Sequence, residues 1–425
     1  MNRWLSFDRM LTNRFALFPK NNTIERMKNH LENLAVLSRK PERLVLGLLS
    51  GTSMDAIDVA VCRIGPKGRP VQLVHVGRRP FESTLRVRLS RLDELRIQDV
   101  AEIHVLLGEA FATAALEVVA ESPVHIEDVD LIGSHGQTVY HHSTLPGALR
   151  ATLQLGDADV IAERTGKPVI ADFRARDIAS GGEGAPLTPT TDVYLYGHDS
   201  GTGRRAVLNL GGIANVTVLD ADPERVLGFD TGPANALIDR AARRMSNGAL
   251  SCDRDGMIAR SGRVNERLLE ELIESDPFLN RTPPKSTGFE MYGDAFLDHV
   301  AKRHGGVDAD LLATLTEFSA RAVALAFARH IQVVPEVDEI VVAGGGASNP
   351  ALMDRLSALL SPRRVRRSEE FGVPSTAREA MAFAILADLA LRGEPGSTPA
   401  ITGARRPPVL GKLSFPNVAK PTTGC

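Results

Sequence analysis

The chain lacks the features that would place it in several common protein classes. Its 425 residues include three cysteines, Cys62, Cys252 and Cys425. They are far apart and form no CxxC pair, so neither a disulfide framework nor a zinc knuckle is supported. Isolated reduced thiols in a reducing compartment are the expectation. Charge of neither sign dominates: lysine and arginine total 50 against 52 acids, a formal net charge of -2. That balance gives no electrostatic case for nucleic-acid binding, and any positive patch must be local. No apolar run approaches the roughly 18–20 residues of a membrane span. A Walker loop, a GxGxxG turn after a strand, a GxSxG elbow and an HExxH pair are all absent.

What is present is globular composition, 43% hydrophobic and 24% charged, at a length suited to two domains. Residues 1–42 read as an N-terminal extension. They are basic and amphipathic in places, without the apolar core and small-residue cleavage site of a signal peptide. A lipid-surface helix, an extension of no catalytic importance, or a start placed too early (Met10 and Met27 are alternatives) all fit.

Regular alternation begins near Leu44. Residues 44–49 and 57–64 read as strand, tight turn and strand, with a third strand at 71–76. Residues 86–119 have helical spacing. A short strand over 129–134 is expected to end in the turn His135-Gly136-Gln137. Residues 157–165 are helical, 168–172 a strand, and the glycine- and proline-rich stretch 181–189 a loop. The plan then recurs: strands over 206–210, 214–219 and 225–229, helices over 233–245 and 311–334, a buried strand over 339–343, and helices over 349–360 and 378–392. Each half opens with an apolar strand, a glycine turn and a returning strand. Two α/β domains with a cleft between them follow, the first over 43–175 with a returning segment at about 395–419, the second over 176–394.

Two glycine hairpins can clamp a polyphosphate with backbone N–H groups. One is Ser50, Gly51, Thr52, Ser53, Met54, Asp55, Ala56 and Ile57. The other contains Asn209, Gly211, Gly212 and Asn215. Thr52 and Ser53 offer hydroxyls, and Asp55 and Asp58 offer hard oxygen ligands for magnesium through water. Ordinary hairpin turns are the bland alternative, and the matched placement in two similar halves favours phosphate. Gly344, Gly345 and Gly346 with Asn349 suit a nucleoside site at a strand end, or a plain strand-to-helix turn. Asp230 stands at a strand end as a general base or as the cap of the next helix. Arg174 and Arg176 can grip an anion or join a surface ion-pair network. His135 and Gln137 lie at a strand end, and the pair His141-His142 reads as surface.

Taken together, GLLSGTSMDAID (47–58), GSHGQT (133–138), ADFRARDIASGGEGAPLTP (171–189), AVLNLGGIANVTVL (206–219), GFDTGPANALID (228–239), DRDG (253–256), PPKSTG (283–288), VVAGGGASNPALM (341–353) and REAMAFAILA (378–387) resemble the anhydro-N-acetylmuramic acid kinases. The likeness runs in order from about Leu44 to about Gly411. It implies two RNase H-like domains of the actin/Hsp70/sugar-kinase type with an interdomain cleft. It also implies ATP and Mg2+, a cytoplasmic enzyme and a small-molecule sugar substrate; neither nucleic acid nor membrane is a partner, and a homodimer is compatible with it. The implied reaction opens the 1,6-anhydro bridge of 1,6-anhydro-N-acetylmuramic acid with water and phosphorylates O6. The product belongs to cell-wall recycling.

By the same resemblance Asp230 activates the water, and the segment from Ser50 to Ile57 takes the ATP phosphates. His135, Gln137, Thr138 and Glu379 lie near the sugar, and Arg174 and Arg176 face its lactyl carboxylate. Three positions depart from the family pattern. Ala56 and Ala234 stand where glycine is common, with strain expected if either has φ > 0. Phe289 stands where a basic residue is common. A hexokinase-like kinase of a free amino sugar, a nucleotide switch without catalysis and an inactive relative are the competing readings.

Overall fold

Leu44, Leu46 and Leu48 point to one side of the first strand, while Val45 and Leu49 point to the other. Every residue of that strand is buried, as expected where both faces of a sheet are covered. The computed structural model describes residues 22–51, 54–66, 68–91, 94–142, 149–197, 204–220, 222, 225–283, 285–331 and 337–417. The strands of the first half are β1 (Arg43–Ser50), β2 (Ala56–Ile64), β3 (Gln72–Pro80), β4 (Leu131–His142), β5 (Ala151–Leu155) and β6 (Val169–Ala171). Those of the second are β7 (Arg204–Leu210), β8 (Ile213–Val218), β9 (Leu227–Pro233), β10 (Val337–Ala343) and β11 (Arg364–Arg367), and β12 (Lys412–Ser414) lies near the C-terminus.

The first sheet has the order β12-β6-β4-β1-β2-β3, with β5 paired to β4; the second has β11-β10-β7-β8-β9. In each, three strands form an antiparallel meander, and two more, β4 and β6 in the first and β10 and β11 in the second, add in parallel beside the first. The duplication read from the sequence is thus a duplicated strand order. These are two RNase H-like α/β domains of the actin/Hsp70/sugar-kinase type. β12 pairs antiparallel with β6, which returns the C-terminal segment to the first sheet.

The helices include α1 (Asn22–Arg39), α2 (Ile97–Ala120), α3 (Phe173–Ala179), α4 (Thr188–Tyr196), α5 (Asn235–Met245), α6 (Ala309–Ala326), α7 (Pro350–Leu360) and α8 (Arg378–Arg392). α8 packs on β1, β4 and β2, so it belongs with the first sheet. The expected division at 394 assigned it to the second domain. Its close approach has a definite cause. A Cβ on Gly47 would overlap the carbonyl oxygen of Ala380, and one on Gly133 that of Phe383. Glycine on adjacent strands lets the helix backbone rest on the sheet. One apolar cluster then runs from Val45 through Phe383, Leu195 and Tyr196 to Val207 and Val341, joining the two sheets through α4 and α8.

Several local expectations need correction. The helical stretch 86–119 is broken, because Asp99 accepts from the backbone N–H of Arg96 at 2.9 Å and starts α2 afresh. β4 continues through His135-Gly136-Gln137 because β5 pairs with its second half. Gly136 takes φ 76° there, beside a register shift against β1. Pro233 ends the edge strand β9, and its helix starts at Asn235; an edge strand tolerates the missing donor. The long helix expected over 311–334 runs as α6 and then a wider turn over Phe327–Ile331. Two helices, Ile97–Ala120 and Ala309–Ile331, are long and apolar enough to cross a membrane, contrary to the expectation of none. Half of the first and more than three-quarters of the second apolar window is buried inside the fold. Cys62 is a core residue whose thiol burial pushes up to about 12.

Gly133→Ala is expected to lower stability by about 1–3 kcal/mol, the range for overpacking. Gly65→Ala is the control, since its Cβ would meet Arg69 side-chain atoms only at an ordinary 3.6 Å. Equal melting temperatures for the two variants would refute the close approach of α8.

Candidate active site

On the first sheet, β1 ends at Ser50 and β4 brings Gln137 opposite it. Ser50 Oγ donates to Gln137 Oε1 at 2.6 Å, and both side chains are buried. The turn that follows closes with Met54 N on Gly51 O at 3.1 Å. Thr52 and Ser53 lie outside the described residues. Met54 carries the left-handed backbone, at φ 52°. Ala56 and Ala234 do not, so the strain expected there is absent. Gly51 faces open space. Ile57 packs in the core with Leu46 and Leu48, so only its backbone can serve a ligand.

Asp55 and Asp58 flank Arg78. Arg78 donates to both oxygens of Asp55 at 2.9 Å and stands 3.5 Å from Asp58. Burial raises the Asp58 carboxyl above its ordinary value, Arg78 opposes this, and Glu379 and Asp55 add to it.

His135 is buried between two partners. Its Nε2 accepts from Arg174 Nε at 2.8 Å, while Nδ1 meets Gly136 O at 3.1 Å. That arrangement requires the neutral ring with its proton on Nδ1. Burial first, and the Arg174 charge second, hold the ring's pKa well below the usual histidine range. Its ring lies 4.4 Å from that of Phe383 on α8. Arg174 also donates to Gly184 O at 2.9 Å, which ties it to the glycine loop. Glu379 is exposed at the start of α8, and its charge acts on both Arg174 and Asp58. Thr138 instead contacts Gln154 Nε2 at 3.3 Å, on the strand face opposite His135 and Gln137. Arg176 is exposed. The ADFRARD stretch is helical, and two residues turn about 200° along a helix, so Arg174 and Arg176 do not converge.

On the second sheet, Asn209, Asn215 and Asp230 form one row across β7, β8 and β9. Ala343 of β10 extends that row. The carbonyls of Gly211 and Gly212 accept from Asn235, Ala234 and Ala236 N, so the hairpin closes the start of α5. Gly344 takes φ 86°, and a Cβ there would sit 2.7 Å from Leu210 O. A Cβ on Gly346 would meet Leu210 and Asn235, whereas Gly345 is open. Glycine is therefore required at two of the three positions to bring the β10 turn against the second hairpin. Asn349 is buried, and its oxygen caps α7 through Ala351 N and Leu352 N. Phe289 is exposed and lies against Gly212, with the Arg240 guanidinium 4.8 Å from its ring.

Asp230 does not cap a helix. Its Oδ2 accepts from Ser286 Oγ at 2.8 Å and from Thr287 N at 2.9 Å. Burial pushes its carboxyl above the ordinary value, the Thr287 and Ser286 bonds oppose that, Glu290 adds to it and Lys285 opposes it. Sequence reasoning gave no role to Lys285, Ser286 or Thr287. They come from a distant loop, and no local spacing links them to Asp230. It also missed Asp192 and Arg378. Arg378 donates to Asp192 at 3.0 and 2.6 Å and to Asn209 Oδ1 at 3.3 Å. This buried pair joins α8, α4 and the second hairpin.

A glycine hairpin on each of two RNase H-like domains, with a part-buried carboxylate in the same row as one of them, is an arrangement that a kinase of this fold can use. The sequence matches the anhydro-N-acetylmuramic acid kinase family over residues 43–416, and the chain belongs to that family. The anhydro-N-acetylmuramic acid kinase of Caldanaerobacter subterraneus subsp. tengcongensis is 39% identical over 399 residues, covering 91% of this chain and all of that one. That of Bacillus cereus (strain AH820) is 38% identical over 385 residues, covering 88% and 100%. Among solved structures, the activator of the 2-hydroxyisocaproyl-CoA dehydratase from Clostridium difficile with bound ADPNP aligns at a TM-score of 0.40 and 13% identity. It covers 82% of this chain and 96% of that one.

Asp192→Asn leaves the Arg378 charge buried without its counter-ion, and is expected to cost about 3–5 kcal/mol in thermal or urea unfolding. An unchanged melting temperature would show that the pair is dispensable. His135 should stay neutral in the folded chain at pH values where an ordinary histidine takes up a proton, and its ring NMR shifts should not titrate there. Below the ordinary histidine value of 6.5 the unfolded chain takes a proton that the folded chain refuses, so this residue's contribution to stability falls as pH drops through that region.

Proposed function

We propose that the chain hydrolytically opens the 1,6-anhydro bridge of 1,6-anhydro-N-acetylmuramic acid and phosphorylates O6 with ATP. The products are N-acetylmuramic acid 6-phosphate and ADP, and the setting is cytoplasmic recycling of cell-wall sugars. The observation that carries this reading is the row Asn209, Asn215 and Asp230. It sets a candidate base beside a hairpin suited to phosphate, so proton abstraction and phosphoryl transfer fall on one sheet.

The residues fit ATP. Gly344 and Gly346 are places where a Cβ would block the turn, and Gly51 and Gly345 are open. Backbone can therefore approach a nucleotide closely at both hairpin ends. Asn349 is committed to its helix cap and is a weaker candidate than the glycines. For magnesium, the described residues hold no cluster of three or more ligating side chains, and the Asp55 oxygens are paired with Arg78. The donor set suits a Mg2+ held mostly by water and phosphate oxygens, with Asp58 as the carboxylate nearest in kind. When bound, that ion would neutralise charge on the phosphates.

Asp230, deprotonated, takes a proton from water as the water oxygen bonds to C1. The C1–O6 bond breaks with its electron pair going to O6. O6 then bonds to the γ-phosphorus, and ADP leaves. On the first domain, Arg174 Nη2 carries no hydrogen bond among the described residues and suits the lactyl carboxylate. His135 and Gln137 line the same strand end, and exposed Glu379 adjoins them.

Turnover with 1,6-anhydro-N-acetylmuramic acid, ATP and Mg2+ in 18O-water should place one label at C1 of a 6-phosphorylated sugar. Asp230→Asn should abolish product, by about 10³-fold or more for loss of a base, while ATP binding persists. Activity on free amino sugars with none on 1,6-anhydro sugars would replace this reading by a hexokinase-like one. The raised Asp230 carboxyl sets the sign of the pH dependence: activity is lost as pH falls through a value above 3.8.

A further inference from the structure

The Asp230 carboxylate is held unevenly. Both of its side-chain hydrogen bonds, from Ser286 Oγ and Thr287 N, arrive on Oδ2. Its backbone N–H donates to Lys285 O at 3.1 Å. Three consecutive residues thus grip one aspartate, and Oδ1 has no hydrogen bond among the described residues.

The gripping loop has an anchor of its own. Lys285 is buried, and its Nζ lies 4.6 Å from the Phe278 ring and 6.0 Å from the Phe229 ring. It also reaches Phe278 O at 3.4 Å. Phe229 precedes Asp230 on the edge strand β9, and successive side chains on a strand point to opposite faces. The loop therefore straddles the strand edge, with the lysine stem on one face and Ser286 and Thr287 on the other.

We propose that Lys285, Ser286 and Thr287 form a positioning clamp that tethers Oδ2 of Asp230 and leaves Oδ1 as the atom that takes the water proton. This rests on the reading of Asp230 as the base. A carboxylate free to rotate would present either oxygen and spend time out of line with the attacking water. Fixing one oxygen converts that rotation into a single productive orientation. Ser286 is the adjustable member, since Thr287 acts through its backbone.

The charges acting on Asp230 are few. Glu290 and Lys285 belong to the clamp segment itself. Its strand partner in β8 is the uncharged Asn215. α6 brings Ala322 against Gly232 of β9, and its charged Glu317 and Arg321 pair with each other. The short helix Pro399–Thr402, which also touches β9, has no ionisable side chain. Loss of the Ser286 bond leaves the Thr287 N–H and the Lys285 charge as the groups that still favour the carboxylate, and both are already in place.

The test compares full-length wild type, Ser286→Ala, Ser286→Thr and Asp230→Asn in steady-state turnover across pH. The 13C carboxyl shift of Asp230 gives a second readout without substrate. Ser286→Ala should move the acid limb of kcat upward by about one pH unit, the equivalent of one hydrogen bond to a carboxylate. Its plateau kcat should fall about 10-fold from lost orientation, with the KM for ATP and the melting temperature unchanged. Ser286→Thr should restore both the limb and the plateau. An unmoved acid limb and unmoved carboxyl titration in Ser286→Ala, with Asp230→Asn inactive, would overturn the clamp while keeping the base. Turnover by Asp230→Asn would instead overturn the underlying reading.

Discussion

The backbone contact of α8 on two strand glycines is the constraint on which the rest of the arrangement depends. Gly47 and Gly133 sit on neighbouring strands, and each faces a helix carbonyl that any Cβ would overlap. A helix that close cannot slide or tilt without striking the sheet. Its first residues therefore stand at a fixed place beyond the strand ends. Arg378 and Glu379 are those residues. One joins the second domain, and the other faces Arg174 and Asp58 of the first.

The same helix is bound by ion pairs at both ends. Near its start, Arg378 is bonded to Asp192 on α4. Near its end, Asp388 pairs with Arg43 of β1 and with Arg392. Arg43 in turn donates to Leu37 O and Lys40 O at the end of α1. Buried ion pairs contribute little net stability compared with apolar packing, but breaking one is costly. Here they act as fixed points in an otherwise apolar cluster. The extension helix α1 is fastened to the back of α8, away from the hairpins.

The fold was legible where period and punctuation agree. Both meanders were visible as alternation around glycine turns, and most strands lie within a few residues of their expected place. What escaped the sequence is non-local. α8 belongs with the first sheet because of glycines more than two hundred residues earlier, and a glycine inside a strand signals such an approach. The candidate site was legible to the extent that strand ends carry it. Asp230, His135, Gln137, Ser50 and the glycine hairpins all lie there. Helix phase turns Arg176 away from Arg174, and strand facing leaves only the backbone of Ile57 to serve a ligand. Asn349 is committed to its helix cap, and a cap and a ligand contact use the same residue type. Ser286 and Thr287 were visible only as part of the PPKSTG motif, without a role, since their relation to Asp230 exists only in the folded chain.

The row of Asn209, Asn215 and Asp230 places two duties on a single rigid body. A sheet held by ladder hydrogen bonds does not change its internal spacing when domains shift. In the reading above, the spacing of the base from the second hairpin is therefore a constant of the second domain. In that reading, opening of the bridge and phosphorylation of the freed oxygen draw on one alignment, because the base and half of the phosphate clamp are set by the same paired strands.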